Sequence, residues 1–446
     1  MAHFTQSCDT MVATPGATGH GHTIFAKNSD RPWDECQPLE LQEAEAGRSG
    51  SAGTQFVDVP KVESTYRHVG SRPWWCWGYE QGFNEHQVVI GNEALGSKLE
   101  TSTEPKLVGM EILRLGLERG RTAREAVDAM TGLISEYGQG KFENDAGVRT
   151  YDNGYIVADP REAFVIETAG HEWALKRVDG ALGISNVYSV ETDYESVSDG
   201  AEKLARDQGW WTGEGVFNFA DAYTKDVRDF GSGAMRRRRS CAVLGDKARN
   251  VGVDTMMSVL SDHSDATNPN EPYQAGIDPG NGICVHYKRD EQGDIKGGNT
   301  AASLVADLCS DDSRLPIYWC SFYSPCLSLW FPVFVEAELP AVLARGGQHA
   351  TDETDSPWWL FHKLNMVARE AGPEGIGRVR RRWASLQQRT KTSAYDVAVE
   401  GKRLITGGYQ ERAEGMLARY VDENVQIMLD TARELKEEMS TQLAAD

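Results

Sequence analysis

Seven of the eight cysteines (Cys36, Cys76, Cys241, Cys284, Cys309, Cys320 and Cys326) are scattered without the short paired spacings of a zinc site or a disulfide framework. They read as buried free thiols, small apolar groups in a reducing compartment. Cys8 taken alone reads the same way, but it stands in the block Ser7-Cys8-Asp9-Thr10-Met11-Val12-Ala13, followed by Ile24-Phe25-Ala26-Lys27-Asn28-Ser29-Asp30-Arg31. His20 and His22 form a His-x-His on a turn with no third ligand, so no metal is expected. Arg236-Arg237-Arg238-Arg239 is the only run of four consecutive basic residues, a pattern that is ordinarily a solvated helix face or turn. Trp74, Trp75 and Trp77 surround Cys76, and aromatic rings so placed are more often core than pocket.

The elements that must position these residues begin with a hairpin. Val12 and Ala13 lead into the breakers Pro15-Gly16-Ala17-Thr18-Gly19, and His22-Thr23-Ile24-Phe25-Ala26 returns as a strand. Residues 43–55 are polar and loop-like, and Gln87-Val88-Val89-Ile90-Gly91-Asn92 is a short apolar strand. Val108, Ile112 and Leu115 share one face of a helix over Leu107–Glu118, and Thr122 with Glu125 resembles a capping box opening a second helix through Ile134. Strands resume at Gly154–Ala158 and Ala163–Glu167 around Asp159-Pro160-Arg161. Strand clusters with helices between and after them predict a layered α+β domain. Beyond Pro340 a polar, glycine-bearing stretch gives way to a helical stripe through Leu417, Val421, Val425, Met428 and Leu435. Residues 355–446 are therefore expected to be a helical extension, packed on the main domain or on a partner subunit.

Bulk properties narrow the classes. A chain of 446 residues with 40% apolar and 25% charged residues is an ordinary globular protein, large enough for one domain with an appendage. A net charge of −21 argues against nucleic acid and anionic membranes, both of which need a basic footprint. No stretch approaches a membrane span, and the opening residues lack a secretory pattern, so a cytoplasmic location is expected.

The blocks around Cys8 and Asp30 closely resemble the opening of the secernin and cysteine-dipeptidase family of N-terminal-nucleophile hydrolases, and more distantly bile salt hydrolases and penicillin V acylases. The resemblance continues through Ser71–Gly78, Gly82-Phe83-Asn84-Glu85-His86, Gly91-Asn92-Glu93-Ala94, Tyr137–Gly140, Glu167–Gly170, Ile184-Ser185-Asn186, Thr300–Val305 and Pro325-Cys326. These blocks run in order over three quarters of the chain. The family implies a four-layer αββα sandwich over residues 8–340, with the nucleophile at the start of a central strand. It also implies that residues 1–7 are a propeptide. A cysteine that begins a chain carries an α-amine of pKa about 7.7–8.0 beside its own thiol, so base and nucleophile belong to one residue. Autocatalytic cleavage of the Ser7–Cys8 bond is therefore expected.

By position in these motifs, Asp30 corresponds to the carboxylate that orients the new amine. Lys27 stands where bile salt hydrolases carry an arginine, and a cation there favours thiolate. Asn92 and Asn186 resemble the asparagines flanking the nucleophile, where an amide donor would serve an oxyanion hole. Arg236 aligns with an active-site arginine of the acylases, with Arg239 as the alternative register. Trp74 and Trp77 are candidates for a substrate wall. No cofactor is implied. The resemblance points to a small peptide, foremost a dipeptide, as substrate. An N-acyl amide acylase, an acyltransferase or a non-enzymatic regulatory protein on the same fold are the alternatives, and a homo-oligomer is compatible with the helical extension.

Overall fold

Two antiparallel sheets packed face to face form the centre of the computed structural model, which describes residues 7–145, 147–225, 231–247, 249–263, 282–348 and 356–445. The six-stranded sheet runs, edge to edge, Ala181–Ile184, Ser7–Ala13 (β1), Ile24–Pro32 (β2), Gly298–Asp307, Ile317–Phe322 and Phe331–Val333. The eight-stranded sheet runs Ser196–Val197, Glu172–Arg177, Ala163–Ala169, Asp152–Ala158, Val89–Leu95, Gln81–Asn84, His68–Ser71 and Leu39–Gln42. Helices Gly109–Arg119 (α1) and Ala123–Tyr137 (α2) cover the outer face of the eight-stranded sheet. Helices Ser232–Asp246, Val253–Leu260, Pro357–Glu370, Gly372–Thr406 and Gln410–Ala445 pack against strands of the six-stranded one. The order helix, sheet, sheet, helix is the expected αββα sandwich.

Because a layer lies on either side of each sheet, the central strands are buried on both faces. Every residue of β1 and of Gly298–Asp307 is buried, so these strands lack the polar alternation of a half-solvated antiparallel sheet. Each buried polar side chain on them therefore needs a partner inside the protein.

The local expectations are largely met, with shifts at element ends. The hairpin forms with β1 and β2 in antiparallel register, Ala13 opposite Ile24 and Cys8 opposite Ser29. The strand expected from Gln87 begins at Val89, because Asn84 Oδ1 accepts from the backbone N–H groups of His86 and Val88, both at 3.0 Å, and holds that stretch as a turn. Thr122 caps α2 by accepting from Glu125 N, but the Glu125 carboxylate reaches Arg121 N at 2.9 Å instead of completing the reciprocal box. Of the expected propeptide only Ser7 falls within the described residues, as do residues 356–445 of the extension. The extension shares the main core: Leu417, Val421, Val425, Met428 and Leu435 are buried in the cluster that also holds β1 and β2. Trp358 Nε1 donates to Ala301 O at 2.8 Å and Trp383 Nε1 to Leu327 O at 3.0 Å, tying two of the helices to the main domain. Among the described residues no helix is long and apolar enough to cross a membrane.

Candidate active site around Cys8

Successive strand residues point to opposite faces, so the β1–β2 register sorts the candidate residues into two groups. Cys8 and Thr10, opposite Ser29 and Lys27, share one face; Ser7 and Asp9, opposite Asp30 and Asn28, share the other. Lys27 turns toward the second sheet, where Gly91 leaves the room it needs: a Cβ there would lie 2.4 Å from Lys27 Cδ. Asp9 turns toward helix Ser232–Asp246. Gly183 lets that helix approach, since a Cβ at 183 would lie 2.3 Å from Ser240 Oγ, and Arg236 lies one turn before Ser240.

On the helix face Arg236 is 1% exposed and ties four residues together. Its Nε donates to Asp9 Oδ2 at 2.8 Å, its Nη2 to Ser185 Oγ at 2.9 Å and to Asn186 Oδ1 at 2.6 Å, and its Nη1 to Ser232. Asn186 Oδ1 also accepts from Cys8 N at 2.8 Å, and Ser185 Oγ donates to Cys8 O at 3.2 Å. Arg236 is the member of the four-arginine run that reaches this cluster, while Arg239 pairs with Asp262 at 2.7 Å. Asn186 departs from the expected geometry. Its amide nitrogen donates to Ala94 O at 2.9 Å, so toward Cys8 it presents an acceptor that orients the nitrogen, not a donor for an oxyanion.

Asp30 lies at the junction of the groups. Its N–H points at Cys8 Sγ from 3.4 Å, and Thr300 Oγ1 donates to its Oδ1 at 2.6 Å. Its Oδ2 is buried on the side of Ser7, which stands opposite Asp30 across the two strands. Burial raises the Asp30 carboxyl to about 7, the neighbouring Asp9 charge adds to the rise, and Thr300 and Arg236 oppose it. Asp9 is pushed up to about 6, again by burial, with Arg236 as the main opposing influence.

The inter-sheet face holds a second charged group, which joins Lys27 and Asn92 to two carboxylates, Glu80 and Glu93, that the sequence reading left unassigned. Lys27 is fully buried, with Nζ 3.8 Å from Glu80 Oε2, and Arg31 Nη1 lies 3.3 Å from Glu80 Oε1. Thr10 donates to Glu93, whose buried carboxyl is held well above the ordinary range by desolvation despite Lys27. Asn92 belongs to this group. Its side-chain amide lies between Glu80 and Asn153: with the nitrogen toward Asn153 it donates to Oδ1 at 3.1 Å, and turned the other way it would donate to the Glu80 backbone carbonyl at 2.8 Å and to Oε2 at 2.9 Å. Burial raises the Cys8 thiol well above its usual range, and Lys27 is the one cation that counters this. Lys27 itself is raised: desolvation would lower it, but Cys8, Glu93, Glu80 and Asp30 outweigh that penalty and keep it charged.

The two expected substrate-wall tryptophans sit at the margins of the cores. Trp74 packs on the main core and Trp77 lies under the Arg114 guanidinium, 4.0 Å from the ring centroid, on the α1 side. Trp75, which had been given no role, faces Arg31 at 5.9 Å and Arg149 at 4.8 Å, and Arg31 leads on to Glu80.

Residues 81–230 match the sequence model of peptidase family C69. The matched segment includes Asn92 and Asn186 and starts beyond Cys8, Lys27 and Asp30. Among solved structures the chain is similar to the C2A mutant of conjugated bile acid hydrolase from Clostridium perfringens, with 12% identity, a TM-score of 0.41, and coverage of 71% of this chain and 89% of that one. It is similar also to penicillin V acylase from Agrobacterium tumefaciens, at 17% identity and a TM-score of 0.40 over 73% of this chain and 86% of that one. A third is the Caenorhabditis elegans ortholog of N-acylethanolamine-hydrolyzing acid amidase, at 14% identity and a TM-score of 0.34 over 67% and 92%.

Proposed function

We propose that this chain, an amide or peptide hydrolase whose residues 81–230 match the model of peptidase family C69, removes its own residues 1–7 and then cleaves small peptides with Cys8. Dipeptides are the foremost substrates in this reading. Its main support is the setting of the two Cys8 atoms the chemistry needs: N held 2.8 Å from Asn186 Oδ1, and Sγ 3.4 Å from Asp30 N.

With Ser7 attached, the Cys8 nitrogen is a peptide N–H and no terminal base exists. Maturation then begins with Cys8 Sγ attacking the Ser7 carbonyl carbon, its proton passing to the Asp30 carboxylate. The Ser7–Cys8 C–N bond breaks and the departing nitrogen takes that proton from Asp30, leaving residues 1–7 as a thioester on Sγ and Asp30 again ionised. Water hydrolyses that thioester and releases the peptide. Ser7 pairs with Asp30 across β1 and β2, so its removal uncovers both Asp30 and the new amine. Asp30 and Asn186 then hold that amine, Arg236 positions Asn186, and Lys27 supplies the positive charge that favours thiolate.

In turnover the amine takes the thiol proton, the thiolate attacks the substrate carbonyl, and the leaving amine departs protonated. Water cleaves the resulting thioester. The test is a panel of dipeptides and N-acyl amino acids offered to processed protein. Dipeptide hydrolysis that disappears in Cys8→Ala supports the proposal, and hydrolysis that persists in Cys8→Ala rejects it. Cleavage of N-acyl amino acids alone would keep the chemistry and replace the substrate class.

A further inference from the structure

Four side chains that the Cys8 chemistry does not use converge at one end of the six-stranded sheet. His263 follows helix Val253–Leu260, Cys284 and His286 lie on the segment before Gly298–Asp307, and Cys326 is in the 3₁₀ turn Pro325–Leu327. Their ligand atoms all lie within 4.8 Å of one another. His286 Nε2 is the shared vertex, 3.1 Å from His263 Nε2, 3.4 Å from Cys284 Sγ and 3.5 Å from Cys326 Sγ. One ring nitrogen offers either one proton or one lone pair, so Nε2 of His286 does not hydrogen-bond all three of these atoms at once. A cation between the four takes a lone pair from each. Tetrahedral zinc with Zn–S of about 2.3 Å and Zn–N of about 2.0–2.1 Å sets its ligand atoms about 3.3–3.8 Å apart, close to the spacings found.

We propose that His263, Cys284, His286 and Cys326 bind one zinc ion in a closed tetrahedral site. Two thiolates and two neutral imidazoles balance the ion's charge, which suits a buried position. A Cys₂His₂ set with no open place for water marks a structural site. The surroundings orient the ligands as such a site requires. His286 Nδ1 lies 3.3 Å from Ser324 Oγ; a proton donated there leaves Nε2 as the metal-binding lone pair. Asn299 Nδ2 donates to the same hydroxyl at 2.9 Å and fixes it.

The site would brace the nucleophile centre from outside. Val285, between two of the ligands, donates its N–H to Thr300 Oγ1 at 3.0 Å and accepts from Thr300 N at 2.9 Å. The Thr300 hydroxyl in turn donates to Asp30. Zinc would clamp three segments together and so fix the hydroxyl that holds the Asp30 carboxyl.

The test loads reduced wild-type protein with zinc sulfate, removes excess by gel filtration and measures metal per chain. One zinc per chain is expected, as is the intense ligand-field absorption of a tetrahedral thiolate site when cobalt(II) replaces it. Cys8→Ala should bind the same amount, so a failed mechanism at Cys8 does not touch this result. The double variant Cys284→Ser/Cys326→Ser should drop to none. Should that variant not fold, the wild-type cobalt spectrum decides. No zinc above background in reduced wild type, a weak octahedral cobalt spectrum, or full zinc binding by the folded double variant would each overturn the site.

Discussion

The molecule holds two buried clusters built around thiols, and they differ in what surrounds the sulfur. Cys8 is set among carboxylates and cations, Asp30, Asp9, Glu80, Glu93, Lys27 and Arg236, with no imidazole in the set. Cys284 and Cys326 sit against His286 and His263 with uncharged Ser324 behind them. An imidazole beside a thiol is a familiar way to make a nucleophile. Here, however, each imidazole faces several ligand atoms at once, a geometry for gripping an ion. The Cys8 thiol has ionisable neighbours on both faces of its hairpin, a geometry for moving protons. Burial alone does not separate a reactive cysteine from a structural one; the chemistry of its neighbours does.

Substitutions break or sharpen this contrast. Replacing the nucleophile has the largest effect: Cys8→Ala should lower turnover by at least about 10⁴-fold, read as kcat/KM on the best dipeptide. A loss of that size in a folded Cys326 variant that still begins at Cys8 would reverse the assignment of the two clusters. Asp30→Asn should slow maturation by about 10²–10⁴-fold, the range for a proton-transfer group.

The pH profile of maturation sharpens that prediction. Asp30 accepts a proton only as carboxylate, and its carboxyl is raised to about 7 in the unprocessed chain. Maturation should therefore slow as pH falls below about 7, and Asp30→Asn should abolish that acid limb. The same shift predicts the opposite trend in stability. The folded precursor holds this proton more tightly than the unfolded chain, so the contribution of Asp30 to stability falls as pH rises from the ordinary carboxylate value toward about 7. Thermal melts of the Cys8→Ala precursor against pH check the sign by comparison with Cys8→Ala/Asp30→Asn.

Lys27→Met should have the smallest effect. It removes the cation that opposes desolvation of the thiol, and one unit of upward shift costs about tenfold in thiolate. The rate profile should move to higher pH, and an unmoved profile would remove Lys27 from the account.

The sequence exposed the first cluster better than the second. The hairpin that carries Cys8, Lys27 and Asp30 is local, since the breakers Pro15–Gly19 between two strand-forming runs set it within one short segment. Arg236 was visible as one of four arginines, but only the close approach at Gly183 selects it. The role of Asn186 depends on which end of its amide faces Cys8, and a sequence does not carry that orientation. Glu80 and Glu93 went unassigned because the packing of one sheet on the other brings them to Lys27. The available signal was a carboxylate next to strand-forming and small residues, at Tyr79-Glu80 and in Ile90–Ala94. The four ligands of the second cluster come from distant parts of the chain, and Cys284-x-His286 was its only local trace.

Intact-mass analysis of active wild-type protein tests the central claim most directly. The account predicts a chain that begins at Cys8, with residues 1–7 retained in Cys8→Ala. Fully active wild-type protein that still carries Ser7 on the Cys8 nitrogen would contradict it.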